Sequence, residues 1–359
     1  RLQKQNPSLL IEFRQNYIGP RMRRFGNIFR VEIFGESHGP ALGCTLDGLP
    51  AGFQPDLEDI AFELSRRRPR QSIESTARRE ADSFEILSGF FRGRFTGMPL
   101  TAVFRNSDAK PADYCGTAAR PSHADYAANR KYSGYNDPRG GGHFSGRITA
   151  PLVFAGAVCA QILKSRGITT GAHIRSLHGI SDEAFDPMNV TAEQLEAVKS
   201  RSFPVLSDEA EEKMRAEILS ARELLNSVGG VIECAAVGMP AGVGSPMMDG
   251  LENVISRLVF AIPAVKGIEF GNGFGCADIF GSENNDEFAL RDGKVVTLTN
   301  NHGGILGGIS SGMPVIFRAA FKPTPSISRP QNSVEYDRAG ARHQGKARPL
   351  RSSARGSVR

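Results

Sequence analysis

Three segments of the chain combine glycines with ionisable or hydroxyl side chains. They are Arg139-Gly-Gly-Gly-His-Phe-Ser145, the run from Asn300 to Gly312, and Lys322-Pro-Thr-Pro-Ser326. Consecutive glycines let backbone N–H groups approach an anion or a planar ring that side chains would hold away. A flexible surface loop explains any one of them; three with matching chemistry point to a binding site. Arginines gather at Arg66, Arg67 and Arg68 with Arg70, at Arg78 and Arg79, and singly at Arg120, Arg139 and Arg147. A guanidinium fork captures phosphate or carboxylate in bidentate fashion. At a helix end the same residues can simply offset the macrodipole on a solvated face. Arg120 and Arg147 flank a histidine and a glycine segment, which gives the capture reading its force. His38 lies in a Gly-bounded turn after a strand, and His123 follows Arg120-Pro-Ser. An isolated histidine is commonly structural, yet imidazole is also the natural proton donor beside an anionic leaving group near neutral pH. His143 and His302 lie inside glycine segments.

Several chemistries lack their signatures. Neither GxxxxGK[ST] nor GxGxxG occurs, so a P-loop and a standard dinucleotide fold are not expected. No HExxH or Cys/His ligand spacing marks a metal site. No GxSxG elbow supports a serine hydrolase.

The elements that must position these residues come in clumps. Phe29–Phe34 and Leu42–Leu46 read as strands around the His38 turn, and Leu57, Ile60, Ala61 and Leu64 as a helix stopped by Pro69. Residues 84–105 alternate and are broken by glycines, as in antiparallel hairpins. Ile148–Leu163 is apolar nearly all round and reads as a buried helix. Residues 191–200 and 208–228 are amphipathic; Thr191 with Gln194 fits a capping box, and Gly229-Gly230 closes the second helix. Val231–Val237, Ile268–Phe270, Val295–Leu298 and Val315–Phe321 read as strands, and 251–260 as a helix. Clumped rather than alternating elements favour α+β over a doubly wound sheet. Gly48-Leu-Pro-Ala-Gly52 is echoed by Gly238-Met-Pro-Ala-Gly242, through chance or an ancient duplication.

The 359 residues are 40% hydrophobic and 23% charged, which excludes a disordered chain or a coiled-coil rod. No apolar run approaches the ~18 residues of a membrane span. Five cysteines, at 44, 115, 159, 234 and 276, form no CxxC pair and read as reduced cytoplasmic thiols. The net charge of +6 comes from the ends: residues 1–24 carry +5 and residues 338–359 carry +7, leaving −6 for the body. Basic ends on an acidic body are poor grounds for nucleic-acid binding.

At this point the residues resemble a known family. Phe34-Gly-Glu-Ser-His-Gly39 with Asp47-Gly48, Arg66-Arg-Arg-Pro69, Arg78-Arg-Glu-Ala-Asp82 and Glu85-Ile-Leu-Ser-Gly89 are similar to chorismate synthase motifs. So are Arg120-Pro-Ser-His-Ala-Asp125, Arg139-Gly-Gly-Gly142, Ala264-Val-Lys-Gly-Ile-Glu-Phe270, the run from Gly303 to Gly312, and Lys322-Pro-Thr324. They occur in family order from about residue 25 to about 331.

The resemblance implies a carbon–oxygen lyase acting on phosphates. It would convert 5-enolpyruvylshikimate 3-phosphate to chorismate by 1,4-anti elimination of phosphate, with reduced FMN and no net oxidation, in aromatic amino acid biosynthesis. It gives His38 the leaving phosphate and His123 a proton beside the reduced flavin. Arg67, Arg120 and Arg147 would clamp the substrate. His143, Phe144, Ser145, Pro263, Ala264, Gly307 and Lys322, Pro323, Thr324, Pro325 and Ser326 would line the FMN. The implied fold is α+β, a layered sandwich of antiparallel sheets around core helices, with one catalytic domain over residues 22–337. The implied assembly is a cytoplasmic homotetramer without nucleic-acid, membrane or metal partners.

Departures from the pattern carry their own expectations. Arg70 stands where the family often has Gly, and Ile73 replaces a basic residue linked to nicotinamide use, so an external reductant rather than an attached NADPH activity is implied. The family's C-terminal Arg-His-Asp-Pro-Cys segment is missing: Arg342-His343 is followed by Gln344 and a basic Arg/Ser tail over 338–359, whose composition favours disorder. A permitted coding string for Gly345–Arg359, read one base later, yields Ala-Arg-His-Asp-Pro-Cys-Val-Arg-Pro-Arg-Ala-Val-Pro-Ser, so a one-base frameshift accounts for the change. The alternative to an active enzyme is a catalytically impaired homologue lacking that Asp. At the other end Met22 precedes the first strand, so residues 1–21 are either upstream read-through or a disordered extension.

Overall fold

The computed structural model describes residues 24–68, 80–107, 118–334 and 348–350. Expectations about residues 1–21, Met22, Arg70, Ile73, Arg78, Arg79, Cys115, Arg342, His343, Gln344 and most of the tail lie outside them. Two five-stranded sheets organise the chain, and every pairing in them is antiparallel. The first comprises β1 (Arg24–Phe25), β2 (Arg30–Gly35), β3 (Ala41–Asp47), β4 (Phe84–Ser88) and β5 (Leu100–Arg105), in spatial order β1-β2-β3-β5-β4. The second comprises β6 (Thr169–Leu177), β7 (Ile180–Ser181), β8 (Gly230–Val237), β9 (Val265–Phe270) and β10 (Val315–Phe321), in order β9-β10-β8-β6-β7.

Strand periodicity explains the core. Leu42, Cys44 and Leu46 alternate along β3 and pair with Phe104, Ala102 and Leu100 of β5, and all six are fully buried. They meet two helices, α1 (Leu57–Arg67) through Ile60 and Leu64, and the long helix α3 (Thr149–Lys164), which follows a short α2 (Asp125–Lys131). Phe154 of α3 stands edge-on to Phe84 at 5.0 Å and to Phe104 at 6.1 Å. Burying a ring of that size contributes about 1.5–3 kcal/mol. Helix α3 also touches β6, so it lies between the sheets. The second sheet is covered on both faces: Ile316 faces α4 (Ala192–Ser200), whereas Phe317, Ala319 and Phe321 face α6 (Leu251–Val259). The result is the expected α+β layering.

Three details differ from the sequence expectation. The stretch Gly146–Lys164 is, at 19 residues, long and apolar enough by length and composition to cross a membrane. It includes the core helix, apolar all round because sheet and helix neighbours surround it. Helix α5 (Asp208–Glu223) stops before Gly229-Gly230, with Leu225 at φ 56 and the amides of Leu225 and Asn226 closing on Arg222 and Ala221. Gly230 instead opens β8 opposite Phe321. Strand β6 has no counterpart in the sequence reading, because Gly171 and His173 interrupt its alternation. The capping box at Thr191 and Gln194 is present as expected, and Cys44, Cys159, Cys234 and Cys276 are free. The two echoed turns share a backbone: Gly48 and Gly52 at φ 82 and 83, Gly238 and Gly242 at 80 and 94, each pair following a central strand.

Candidate active site

The turn from Gly35 to Gly39 connects β2 to β3 and carries His38, which is almost fully buried. Its Nδ1 lies 3.2 Å from Ser37 Oγ, and the Ser37 amide donates to Gly142 O at 3.1 Å. The glycine loop therefore packs directly on the histidine. A Cβ on Gly140 would fall 2.1 Å from His38 Nδ1, and one on Gly141 would fall 3.7 Å from Arg120 Nη2. The fork of Arg139 is held by Asp137 at 2.9 and 2.8 Å. His143 reaches back to Gly35 O at 2.9 Å.

Arg120 grips Asp125 through Nε and Nη2 at 2.7 and 2.8 Å, and its carbonyl accepts the His123 amide at 3.2 Å. The segment 120–125 thus joins the glycine loop to the third segment. His123 Nδ1 lies 3.0 Å from Pro121 O, and Nε2 lies 3.1 Å from Ser326 Oγ. Lys322 Nζ donates to Ser122 O at 3.1 Å, and the Lys322 amide donates to Ala264 O at 3.0 Å. Burial and then the Arg120 charge push the His123 imidazole below its usual range, so its neutral form prevails at neutral pH. Burial and then Lys266 lower the Lys322 ammonium as well.

Arg67 and Arg147 come together behind this cleft on one carboxylate. Asp82, fully buried, receives Arg67 Nε at 2.9 Å and Arg147 Nη1. Arg67 Nη1 also donates to Thr149 Oγ1 at 3.0 Å. Two guanidinium ions and one carboxylate leave a net charge of +1, a favourable environment for an anion. Ser145 accepts the Arg147 amide and so caps the short turn before α3.

A chain of contacts therefore links His38, Arg120, His123, His143, Ala264, Lys322 and Ser326, and Ser145 joins Arg147, which shares Asp82 with Arg67. Pro263, Pro323, Thr324 and Pro325 flank those positions in sequence, and Ser227 Oγ fixes Thr324 O at 2.7 Å. Phe144 is half-exposed and lies 6.5 Å, centroid to centroid, from Tyr132. Gly307 is the outlier: it sits at the tip of the hairpin joining Ile305–Leu306 to Ile309–Ser310, bonded to none of these groups. Sequence reasoning gave no role to Asp82, which stood in plain view as the acid closing an arginine-rich motif. Asn106, which binds Arg147 Nε at 3.2 Å, carried no signal at all.

The family model described as chorismate synthase matches residues 29–350. The chorismate synthase of Lancefieldella parvula is 46% identical over 323 residues, covering 86% of this chain and 85% of that protein. That of Thermococcus kodakarensis is 45% identical, covering 87% and 86%. A solved structure titled as the crystal structure of chorismate synthase superposes with a TM-score of 0.68 at 30% identity, over 83% of this chain and 86% of that one. These matches establish that the chain belongs to the chorismate synthase family.

Proposed function

We propose that this cleft converts 5-enolpyruvylshikimate 3-phosphate to chorismate and phosphate, using reduced FMN. The observation that carries the reading is the continuous packing of His38, Gly140–Gly142, Arg120, His123, Ser326 and Lys322 around one cleft backed by a net positive trio. The substrate bears a phosphate and two carboxylates, so it needs several cations. Arg120, Arg67 and Arg147 supply them as forks, two of the three on a buried carboxylate that fixes their direction. His38 holds a proton for the departing phosphate, and the contact with Gly140 restricts where the imidazole can aim. Neutral His123 exchanges a proton through Nε2 with whatever Ser326 Oγ also faces.

The residues present fit a flavin mononucleotide. Lys322 offers a cation for a phosphate, and half-exposed Phe144 offers a flat apolar surface. When bound, reduced FMN would supply electron density to the allylic system as its C–O bond to phosphate breaks, with no net oxidation. Ile73 supports reduction by an external donor. The homotetramer is supported by exposed Phe274, Phe280, Phe288, Leu290 and Val295, a large apolar area within 25 residues that a monomer would leave wet. The free cysteines support a reducing, cytoplasmic setting.

The test is anaerobic turnover with chemically reduced FMN. Parent enzyme is expected to form chorismate, and His38→Ala to lower kcat by about 10²–10⁴-fold with flavin binding retained. Full activity of His38→Ala would overturn the assignment.

A further inference from the structure

Asn106 stands where β5 leaves the first sheet, directly beside the turn that carries His38. Its side chain makes three hydrogen bonds, and none is local. Nδ2 donates to Glu36 O at 3.1 Å and to Gly39 O at 2.8 Å, the carbonyls on either side of Ser37-His38. Oδ1 accepts from Arg147 Nε at 3.2 Å, and Arg147 Nη1 pairs with Asp82, which also holds Arg67. The backbone joins in, because the Asn106 amide donates to Pro40 O at 3.2 Å. One primary amide thus uses both N–H groups on the His38 turn and its oxygen on the arginine cluster.

No other side-chain type reproduces that set. A carboxylate at this position would face two carbonyl oxygens without a donor for either. An aliphatic side chain would leave those two carbonyls unmatched and remove the acceptor from Arg147 Nε. We propose that Asn106 is a positioning residue that locks the His38 turn to the Arg147–Asp82–Arg67 cluster, so that the proton donor and the substrate anchors keep one fixed spacing. The inference rests on the reading of His38 and the arginines given above. In the elimination the proton must reach a phosphate oxygen while the rest of the substrate is held still. A misplacement of about 1 Å at such a centre can lower the rate ~10²-fold.

The two halves of the lock should fail differently. Losing the amide loosens the turn but leaves Arg147 on Asp82, whereas losing the Asp82 charge removes the ion pair that both arginines share. Asn106→Ala and the same-size Asn106→Asp are therefore expected to lower kcat by about 10–100-fold while KM for 5-enolpyruvylshikimate 3-phosphate moves about threefold or less. Asp82→Asn is expected to raise KM more than it lowers kcat. FMN binding, followed by fluorescence, should match the parent in both Asn106 variants, and so should the melting temperature of Asn106→Asp to within a few degrees.

Turnover of Asn106→Ala equal to the parent, with His38→Ala inactive, overturns the inference and leaves the reading of His38 standing. A joint collapse of kcat, KM, flavin binding and melting temperature in both Asn106 variants also overturns it, since that marks a structural residue. Full turnover of His38→Ala brings down the underlying reading, whatever the Asn106 variants do.

Discussion

Each half of the molecule buries a cluster of ionisable side chains, and the two clusters are built to opposite ends. Beside the first sheet, Asp82 holds Arg67 and Arg147, a trio of net charge +1 adjoining a glycine loop. Inside the second, His173 on β6 lies between Asp182 and Glu233, with Nδ1 3.1 Å from Asp182 and Nε2 3.0 Å from Glu233, all three essentially inaccessible. Each ring nitrogen thus faces one carboxylate. Backbone amides complete the carboxylates' bonding: Phe185 donates to Glu233 at 2.7 Å, and Leu206 and Ser207 donate to Asp182 at 2.6 and 3.0 Å. Phe185 also lays its ring 4.5 Å from the imidazole. That cluster is sealed from solvent and has a structural task. The other gathers two guanidinium groups on one carboxylate beside the glycine loop, an arrangement suited to an anionic substrate.

The sharpest way to break this contrast is to remove the centre of the sealed cluster. His173→Leu keeps the volume and strands two buried carboxylates face to face. It is expected to lower unfolding free energy by about 3–5 kcal/mol in urea titrations. Because the clusters share no partner, kcat of the molecules that remain folded should stay within about twofold. A large loss of kcat with unchanged stability would mean that the second cluster serves the chemistry after all.

Gly140→Ala tests the open cluster's neighbourhood in the opposite sense. Gly140 has φ 59, and the new methyl would collide with the His38 ring rather than with backbone. The imidazole must swing away, so kcat should fall about 10²-fold, while the left-handed backbone costs only ~1 kcal/mol of stability. Activity near the parent value would show that the loop does not set the imidazole's direction.

The contrast also explains what the sequence revealed. His38, Arg120, His123, Lys322 and Ser326 could be picked out because their types and glycine-rich surroundings advertise chemistry. The buried helix α3 and strand β10 were legible because one long apolar run or alternation decides them. Asp82, Asn106, His173 and Glu233 were not. Each has a partner far along the chain, Asp82 to Arg147 being 65 residues, Asn106 to Glu36 70 and His173 to Glu233 60. Such pairings exist only once sheet register is set, and no local pattern encodes them. Strand β6 was missed for a related reason: its histidine is polar in sequence and core in the fold, hydrogen-bonded by residues from two other segments.

The smallest effect concerns the two echoed turns, whose following helices start in different ways. Helix α1 begins at Asp56, whose carboxylate accepts the amides of Glu58 and Asp59 at 2.9 and 3.1 Å. Helix α6 begins at Gly250, with no side-chain cap. Capping logic alone says that Gly250→Asp should stabilise the second helix as Asp56 does the first. Packing says otherwise, because a Cβ there would lie 2.9 Å from Gly308 Cα and 3.0 Å from Asn253 Oδ1. Asp56→Ala is therefore expected to lose about 1 kcal/mol, and Gly250→Asp to lose about as much through overpacking against the 305–310 hairpin. Both are read from urea midpoints at constant m. A gain for Gly250→Asp would show that the hairpin yields, and that the two turns differ only by an absent cap. A loss would show that the second turn gave up its cap to let the glycine hairpin bearing Gly307 pack against the helix start.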